Sequence, residues 1–168
     1  FNKGLSPCDE RIDQYIEWDV LEDGKPAKWI PHNANGIYTG DMMTLKAAFA
    51  RSINTIAVQI AREAGIPNII KTAHAMGIKT PLNETPAVSL GASDVSLLEL
   101  VNAYGTVIND GMVHDPVMVT RIEDKNGKII YRHKQEQKQA LPYETAFLMT
   151  QMLMAYRADG NFSSTLGI

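Results

Sequence analysis

The chain has 168 residues, of which 45% are apolar, so it can bury one core and form one domain or a large part of one. Its formal net charge is −3 and it has no block of lysine or arginine, which argues against a nucleic-acid partner. Its single cysteine, Cys8, excludes an internal disulfide and a cysteine-based zinc site.

The two ends of the sequence do not look like natural termini. No methionine opens the chain, and residues 1–7 resemble the end of a helix, with Gly4 as the residue that stops it and Pro7 just beyond. The sequence stops at Ile168 without a polar tail. It contains no apolar run that could span a bilayer and no signal-peptide pattern. We therefore expect the chain to be a piece of a longer protein.

The N-terminal part of the chain is acidic and rich in turn residues. Residues 15–20 alternate between apolar and polar and predict a short strand, and residues 22–26 predict a turn. The acidic residues lack the spacing of a calcium-binding loop, which favours a solvated face over a cation site. They are Asp9, Glu10, Asp13, Glu17, Asp19, Glu22 and Asp23.

Residues 29–40 contain two glycines, a proline and two asparagines, which predicts an irregular loop. Trp29 and Tyr38 are large aromatic residues on this loop. Loops that hold aromatic side chains in place often line sites, so Trp29 is a candidate substrate-binding residue. The alternative is that both rings only pin the loop to the core.

Residues 44–61 are typical of a helix at both ends but not in the middle. Apolar residues recur at steps of three and four, and Thr44 is a suitable N-cap. The four residues from Ser52 to Thr55 have low helix propensity, and three of them compete for backbone hydrogen bonds with their own side chains. The pattern allows two helices that meet at a polar joint, or one helix with a weak turn. A joint could hold the hydroxyl of Ser52 and the amide of Asn54 at a cleft.

The rest of the chain predicts three further helices and one β-hairpin. The helices are expected from Pro67 to Gly77, from a capping box at Ser96 and Glu99 to Gly111, and from Pro142 to residues 157–160. The hairpin is expected from residues 117–122 and 128–131, which flank an Asn126-Gly127 turn. Residues 78–92 and 161–168 are expected to be loops. The count predicts an α+β, mostly helical fold without a parallel sheet.

Most sequence patterns that carry chemistry are absent. The chain has no glycine-rich phosphate loop and no Gly-x-Ser-x-Gly elbow, and its histidines are scattered. No cofactor and no metal site are therefore predicted. The segment Ser52-Ile53-Asn54, between two apolar helices, remains as the candidate for chemistry.

Three groups of residues resemble the transpeptidase domain of class A, or bifunctional, penicillin-binding proteins. A bare Ser-x-Asn is weak evidence alone, but here it stands in that family's order between two further runs. The matching segments are Trp29–Asn33 with Gly36–Gly40, then Thr44–Asn54, then Ser89–Tyr104 followed by Asn109–Gly111. The resemblance runs from Phe1 to about Gly160.

The resemblance implies a β-lactamase/transpeptidase-like fold, of which this chain supplies a helical lobe and one hairpin. That family combines a Ser-x-x-Lys motif, a Ser-x-Asn type motif and a Lys-Thr-Gly motif. Only the middle motif is present in this sequence, at residues 52–54. Residues 1–168 are therefore expected to be a partial penicillin-binding transpeptidase domain, with the nucleophile before Phe1 and the third motif after Ile168. The chain alone is expected to be inactive.

The resemblance also implies roles for the two motif residues. Ser52 and Asn54 would be catalytic residues of a peptidoglycan D,D-transpeptidase that forms a serine acyl-enzyme and binds penicillin. The hydroxyl of Ser52 would pass a proton between the motif lysine and the leaving amine, because a hydroxyl both donates and accepts. The amide of Asn54 would bind and orient the substrate. The alternative is that both residues only cap helices.

The partners implied by the resemblance are peptidoglycan stem peptides and, for the longer protein, β-lactams. Its location would be the extracytoplasmic face of the bacterial inner membrane, with a membrane anchor outside this chain. Two alternatives stay open. A serine β-lactamase-like hydrolase shares the motif logic, and a non-catalytic helical interaction module would be favoured if the gene began near Phe1.

Overall fold

A computed structural model of the chain describes residue 1 and residues 4–22, 24–134 and 136–158. Five α-helices lie in these ranges: α1 (Leu45–Ala50), α2 (Asn54–Ala64), α3 (Ile66–Ala75), α4 (Leu97–Ile108) and α5 (Tyr143–Ala158). A 3₁₀ helix spans Pro86–Leu90. The strands are β1 (Glu10–Ile12), β2 (Trp18–Glu22), β3 (Lys25–Trp29), β4 (Met42–Thr44), β5 (Met112–Val113), β6 (Arg121–Glu123), β7 (Ile129–Arg132) and β8 (Lys138–Gln139). The predicted α+β, mostly helical fold is confirmed.

The strands form four separate antiparallel pairs, which are β1 with β4, β2 with β3, β5 with β8, and β6 with β7. The β6–β7 pair is the predicted hairpin, except that its first strand is Arg121–Glu123 and residues 117–120, which the sequence predicted as strand, are not part of it. Its turn is closed by Asp124 Oδ1, which accepts from the N–H groups of Asn126 and Lys128 at 2.8 and 2.9 Å. Gly127 follows with φ at +81°, a conformation that glycine adopts without steric cost.

A second hairpin lies where the sequence predicted a short strand at residues 15–20, a turn and an irregular loop, and its first strand overlaps the predicted one. Strand β2 pairs with β3 from Trp18 opposite Trp29 to Glu22 opposite Lys25. Strand β3 has a proline, two lysines and no β-branched residue, so Trp29 is its one residue of a type that favours strands. Pro26 is tolerated because both strands of a two-stranded sheet are edge strands. The irregular loop therefore begins after Trp29 rather than at it.

The buried core lies between α1, α2 and α5. Its centre consists of Met43, Leu45, Ala48, Ile56 and Met152, and half-buried Phe49, Ile53 and Met149 pack against it. Helices α1 and α4 both pack on α5. Because Ala48 belongs to α1 and Ile56 to α2, one core holds the two helices on either side of the polar joint.

The predicted helix starts agree with the structure. Pro67 lies in the first turn of α3. The capping box at the start of α4 is complete, since Ser96 Oγ accepts from Glu99 N at 3.2 Å and Glu99 Oε2 accepts from Ser96 N at 3.0 Å. The predicted loop at residues 161–168 lies outside the described residues. In the described ranges, no helix has both the length and the apolar character needed to cross a membrane.

Candidate active site

The polar joint of the sequence is a break between two helices. Thr44 Oγ1 caps α1 by accepting from Ala47 N at 3.2 Å, as predicted. Helix α1 then ends at Ala50, and α2 begins at Asn54. Of the two alternatives that the sequence allowed, the structure therefore has two helices.

Ser52 ends α1 in a conformation that is usually left to glycine. Its φ is +56°, in the left-handed region. The N–H of Ser52 donates to Phe49 O and the N–H of Ile53 donates to Ala48 O, both at 3.0 Å. These two bonds form a Schellman motif, in which the left-handed residue is most often glycine because a Cβ is unfavourable there. A serine at this position indicates that its side chain is kept despite a local cost.

Ser52 and Asn54 line the same cavity, which has a volume of about 730 Å³. Its wall is mostly apolar and comes from α1, α2, α4 and α5, with residues that include Leu45, Phe49, Ile56, Tyr104 and Met149. Ser89 and Leu90 of the 3₁₀ helix also line it. The two motif residues thus present polar groups at a largely apolar cavity, which is the usual character of a small-molecule site.

The two side chains of the motif have different surroundings. Asn54 is half-buried and its Nδ2 donates to the main-chain oxygen of His32 at 2.8 Å. Ser52 is exposed, and within the described part of the chain its hydroxyl has no hydrogen-bond partner. Neither side chain caps α2, because the N-cap residue is Ile53 and no side chain at that position bonds the first turn. The hydroxyl of Ser52 and the amide oxygen of Asn54 are thus available to a ligand.

Trp29 lies apart from these two residues. It is half-buried at the end of β3, opposite Trp18, and it does not line the cavity. Tyr38 hydrogen-bonds within its own segment, with its hydroxyl 2.8 Å from Nδ1 of His32 and 3.3 Å from the main-chain oxygen of Pro31. The structure therefore brings Ser52 and Asn54 together and does not bring Trp29 to them.

A buried carboxylate that the sequence placed on a solvated face lies behind the joint. Asp13 is fully buried, which corrects that prediction. Its Oδ1 accepts from Thr55 Oγ1 at 2.6 Å and from Asn33 Nδ2 at 2.8 Å. Its Oδ2 accepts from Thr39 N at 3.0 Å and from Thr39 Oγ1 at 3.1 Å. Burial was missed because all four donors come from residues more than 19 positions away.

These bonds decide the ionisation of Asp13. Burial opposes the charged form and by itself would raise the pKa of the carboxyl group. The hydrogen bonds from Thr55, Thr39 and Asn33 favour the charged form and together hold the pKa of Asp13 below its ordinary value. Asp13 is therefore a buried, ionised acceptor that binds two separate segments, the loop with Asn33 and Thr39 and the first turn of α2.

Glu99 holds the segment that precedes the 3₁₀ helix, two residues of which line the cavity. Its Oε1 accepts from the N–H groups of Lys79 and Thr80, both at 2.8 Å. Its Oε2 accepts from Ser96 Oγ at 2.8 Å and from Thr80 Oγ1 at 2.9 Å. The bond from the Ser96 hydroxyl is the largest of the causes that lower the pKa of Glu99 to about 2. No group of three or more possible metal ligands occurs in the part of the chain that the structure describes.

The sequence matches a family model described as the penicillin-binding protein transpeptidase domain over residues 11–166. Penicillin-binding protein 2D of Bacillus subtilis is 34% identical over 150 residues, which is 89% of this chain and 21% of that protein. Penicillin-binding protein 1A of Rickettsia prowazekii is 34% identical over 114 residues, which is 68% of this chain and 14% of that protein. The chain therefore spans about a fifth or less of the length of these relatives.

Solved structures share the fold. Penicillin-binding protein 1A from Haemophilus influenzae aligns with a TM-score of 0.82 at 22% identity and covers 95% of this chain and 28% of its own. The penicillin G acyl-enzyme complex of penicillin-binding protein A from M. tuberculosis aligns with a TM-score of 0.71 at 20% identity, over 94% of this chain and 40% of its own. The predicted transpeptidase-like fold is confirmed. Because the family model covers most of the sequence, the chain belongs to the penicillin-binding protein transpeptidase domain family.

Proposed function

We propose that the longer protein to which this chain belongs is a class A penicillin-binding protein, a serine D,D-transpeptidase that cross-links peptidoglycan stem peptides. The observation that carries the proposal is the position of Ser52 and Asn54 on one cavity of about 730 Å³. Membership of the transpeptidase family supports the class of reaction. The chain has no Ser-x-x-Lys and no Lys-Thr-Gly, so the nucleophile and the third motif are assigned to other parts of the longer protein.

In the proposed reaction the nucleophilic serine oxygen attacks the carbonyl carbon of the D-Ala–D-Ala bond. The carbon–nitrogen bond breaks, the terminal D-Ala leaves with a proton on its amine, and the stem peptide remains on the serine as an ester. The amine of a neighbouring stem then attacks this ester. That amine loses a proton, a new amide bond forms, and the proton returns to the serine oxygen.

Ser52 is proposed to relay the proton in these steps. Its hydroxyl can donate one hydrogen bond and accept others, so it can stand between the lysine of the first motif and the leaving amine. Two features support this role. The hydroxyl has no partner within the described residues, and the Schellman motif fixes the backbone that carries it.

Asn54 is proposed to bind and orient the stem peptide. Its amide nitrogen donates to the main-chain oxygen of His32, so its amide oxygen remains to accept a hydrogen bond from an N–H group of the substrate. A side chain fixed at one end can hold the scissile bond in a reactive geometry. Trp29, outside the cavity lining, is proposed as a contact for parts of the substrate that extend beyond the cavity.

The same site is proposed to bind β-lactams, and a fold relative whose structure is an acyl-enzyme complex with penicillin G supports this. The substrate lies outside the cytoplasm, so the proposed location is the extracytoplasmic face of the inner membrane. A membrane anchor would belong to a part of the longer protein outside this chain. No cofactor is needed, because the atoms and protons of both steps balance without one.

Acylation by a fluorescent penicillin tests the proposal in the longer protein. Ser52→Ala should slow acylation by about a hundredfold or more, the usual effect of losing a proton-transfer group. Ser6→Ala, a serine outside the cavity lining, is the matched control. Wild-type acylation in Ser52→Ala would leave Ser52 with only its helix-ending role. Rapid hydrolysis of penicillin by the longer protein would favour the β-lactamase-like alternative.

The chain by itself provides a second test. We expect no covalent labelling of residues 1–168 by the same penicillin, because none of the serines in the sequence is followed by lysine three positions later. Labelling would contradict the assignment of the nucleophile to another part of the protein.

A further inference from the structure

Asp13 is a buried charged group that the proposed chemistry does not use. It is fully buried and does not line the cavity. Each of its oxygens accepts two hydrogen bonds, and the donors come from Asn33, Thr39 and Thr55. An ionised carboxylate is costly to bury unless its oxygens accept hydrogen bonds. The four bonds from three residues offset that cost and tie Asp13 to distant parts of the chain.

Two of these contacts lead directly to Asn54. Thr55, whose hydroxyl donates to Asp13, is the next residue after Asn54. Asn33, whose amide also donates to Asp13, follows His32, whose main-chain oxygen accepts from Asn54 Nδ2. The backbone after Asn54 and the acceptor of its side chain are therefore both attached to one carboxylate.

The first turn of α2 depends on the same contacts. Its N-cap residue, Ile53, offers no side-chain acceptor. Asn33 Oδ1 instead accepts from Thr55 N at 3.3 Å, so a side chain 22 positions earlier supplies the missing cap. The amide nitrogen of Asn33 is shared between Asp13 Oδ1 and Ile37 O, which fixes which end of the amide faces α2.

We propose that Asp13 is a positioning residue for the Ser-x-Asn turn. Its carboxylate holds Thr55 and Asn33, and through them it fixes the carboxamide of Asn54 at the cavity edge. The catalytic readout of this proposal rests on the proposed function of Asn54. The position of the Asn54 side chain can be measured without it, so the two proposals can fail separately.

The decisive variants are Thr55→Val and Thr55→Ser in the longer protein. Valine keeps the shape and removes the donor to Asp13, whereas serine keeps the donor. We expect Thr55→Val to lower the limiting acylation rate by a fluorescent penicillin by about tenfold to a hundredfold, and Thr55→Ser to retain it. In an Asn54→Ala background, Thr55→Val should cause less than about a twofold further loss, because the residue acts through Asn54. An equal loss in both backgrounds would overturn the proposal.

The Asn54 side-chain amide gives an independent measurement by NMR. Thr55→Val and Asp13→Asn should both shift its resonances and speed its hydrogen exchange. Glu10→Gln, an exposed acidic residue three positions from Asp13, is the control and should change neither. If Thr55→Val fails to fold, Thr39→Val removes one donor to Asp13 at an exposed position and should shift the same resonances.

The outcomes separate the two proposals. Wild-type acylation in Asn54→Ala would contradict the proposed function alone, and the positioning role would then be judged by the amide resonances. Unchanged Asn54 resonances in Thr55→Val and Asp13→Asn would overturn the positioning role, whatever the acylation rates.

Discussion

The side-chain nitrogen of Asn54 donates to the main-chain oxygen of His32 at 2.8 Å and so joins α2 to a loop 22 positions earlier. Two residues before Asn54, Ser52 is held by local backbone bonds to the end of α1. The polar edge of the cavity thus combines one residue fixed locally with one fixed by a distant segment. Mutations can separate these two kinds of constraint.

The strain at Ser52 predicts opposite effects for two substitutions. Alanine removes the hydroxyl and keeps a Cβ at φ +56°, whereas glycine removes the hydroxyl and relieves the conformation. We expect Ser52→Gly to be more stable than Ser52→Ala by about 1 kcal/mol in urea unfolding. Both variants should lose acylation to the same extent. Equal stabilities would mean that the left-handed conformation of Ser52 carries no cost.

Replacing Asp13 by asparagine should destabilise the fold at neutral pH. An amide has one oxygen, so its nitrogen would face two of the four donors that Asp13 now satisfies. A buried donor left without an acceptor costs about 1–3 kcal/mol, and we expect a loss of that size in urea unfolding. Asp41→Asn, an exposed carboxyl in the same region, is the control and should change the unfolding free energy little.

The wild type and Asp13→Asn should also differ in how their unfolding free energy changes at acidic pH. The pKa of Asp13 in the folded state is below its ordinary value, so in the unfolded state Asp13 binds protons more readily. Its contribution to stability is present above about pH 4, the usual pKa of an unfolded aspartate, and is lost as pH falls through the folded-state pKa. The unfolding free energy of the wild type should fall more steeply below about pH 4 than that of Asp13→Asn. Parallel curves would contradict this.

Glu99 should titrate unusually low, and Ser96 should be the main reason. The hydroxyl of Ser96 donates to Glu99 Oε2, and the pKa of Glu99 is lowered from 4.5 to about 2. We expect Ser96→Ala to raise this pKa, as measured by carbon NMR of the carboxyl group. Ser93→Ala is the control, because its hydroxyl bonds Asn83 and not Glu99. An unchanged midpoint in Ser96→Ala would exclude the hydroxyl as the cause.

The low pKa of Glu99 also sets the pH range in which residues 79–80 lose their hydrogen bonds to its carboxylate. Because the folded pKa lies below the unfolded value, the stabilisation by Glu99 is complete above about pH 4.5 and is lost on the way down to about pH 2. The amides of Lys79 and Thr80, which donate to Glu99, should lose hydrogen-exchange protection in this window. Glu99→Gln should show weak protection at all of these pH values.

Two glycines form a matched pair for backbone strain and crowding. Gly111 and Gly127 both have φ at +81°. A Cβ at Gly127 would meet nothing within 4 Å, whereas a Cβ at Gly111 would overlap the main-chain oxygen of Leu141. Gly127→Ala should cost about 1–2 kcal/mol for its conformation alone, and Gly111→Ala should cost about 1–3 kcal/mol more. Thermal unfolding checks the order, and equal losses would contradict it.

The features that the sequence predicted are those decided by neighbouring residues. The Thr44 cap, the Ser96–Glu99 capping box and the Asn126-Gly127 turn all rest on side chains within four positions of their partners. Strand β3 was missed because Lys25-Pro26-Ala27-Lys28-Trp29 becomes a strand only by pairing with β2. Strand β1 was missed for the same reason, since it pairs with β4 about thirty positions later.

In the candidate site, too, the sequence predicted what neighbouring residues decide and missed the contacts between distant residues. The weak helix propensity of residues 52–55 indicated the joint that carries Ser52 and Asn54, but it left two helices and one helix with a weak turn as alternatives. The burial of Asp13 was not predictable from its neighbours, since its partners are 20 to 42 positions away. The available signal was Asn33 in the Trp-x-Pro-x-Asn run, whose amide bonds both Asp13 and Thr55.

The first turn of α2 is capped by Asn33, 22 positions earlier in the chain. This long-range cap limits which part of the chain can be grafted onto another protein. A graft of residues 44–61 would carry the end of α1 complete, because the Schellman bonds lie inside it. It would leave behind Asn33, His32 and Asp13, the groups that start α2 and hold Asn54. A designed scaffold that is to display this Ser-x-Asn turn therefore needs the chain from about Asp13 onward, with the loop included.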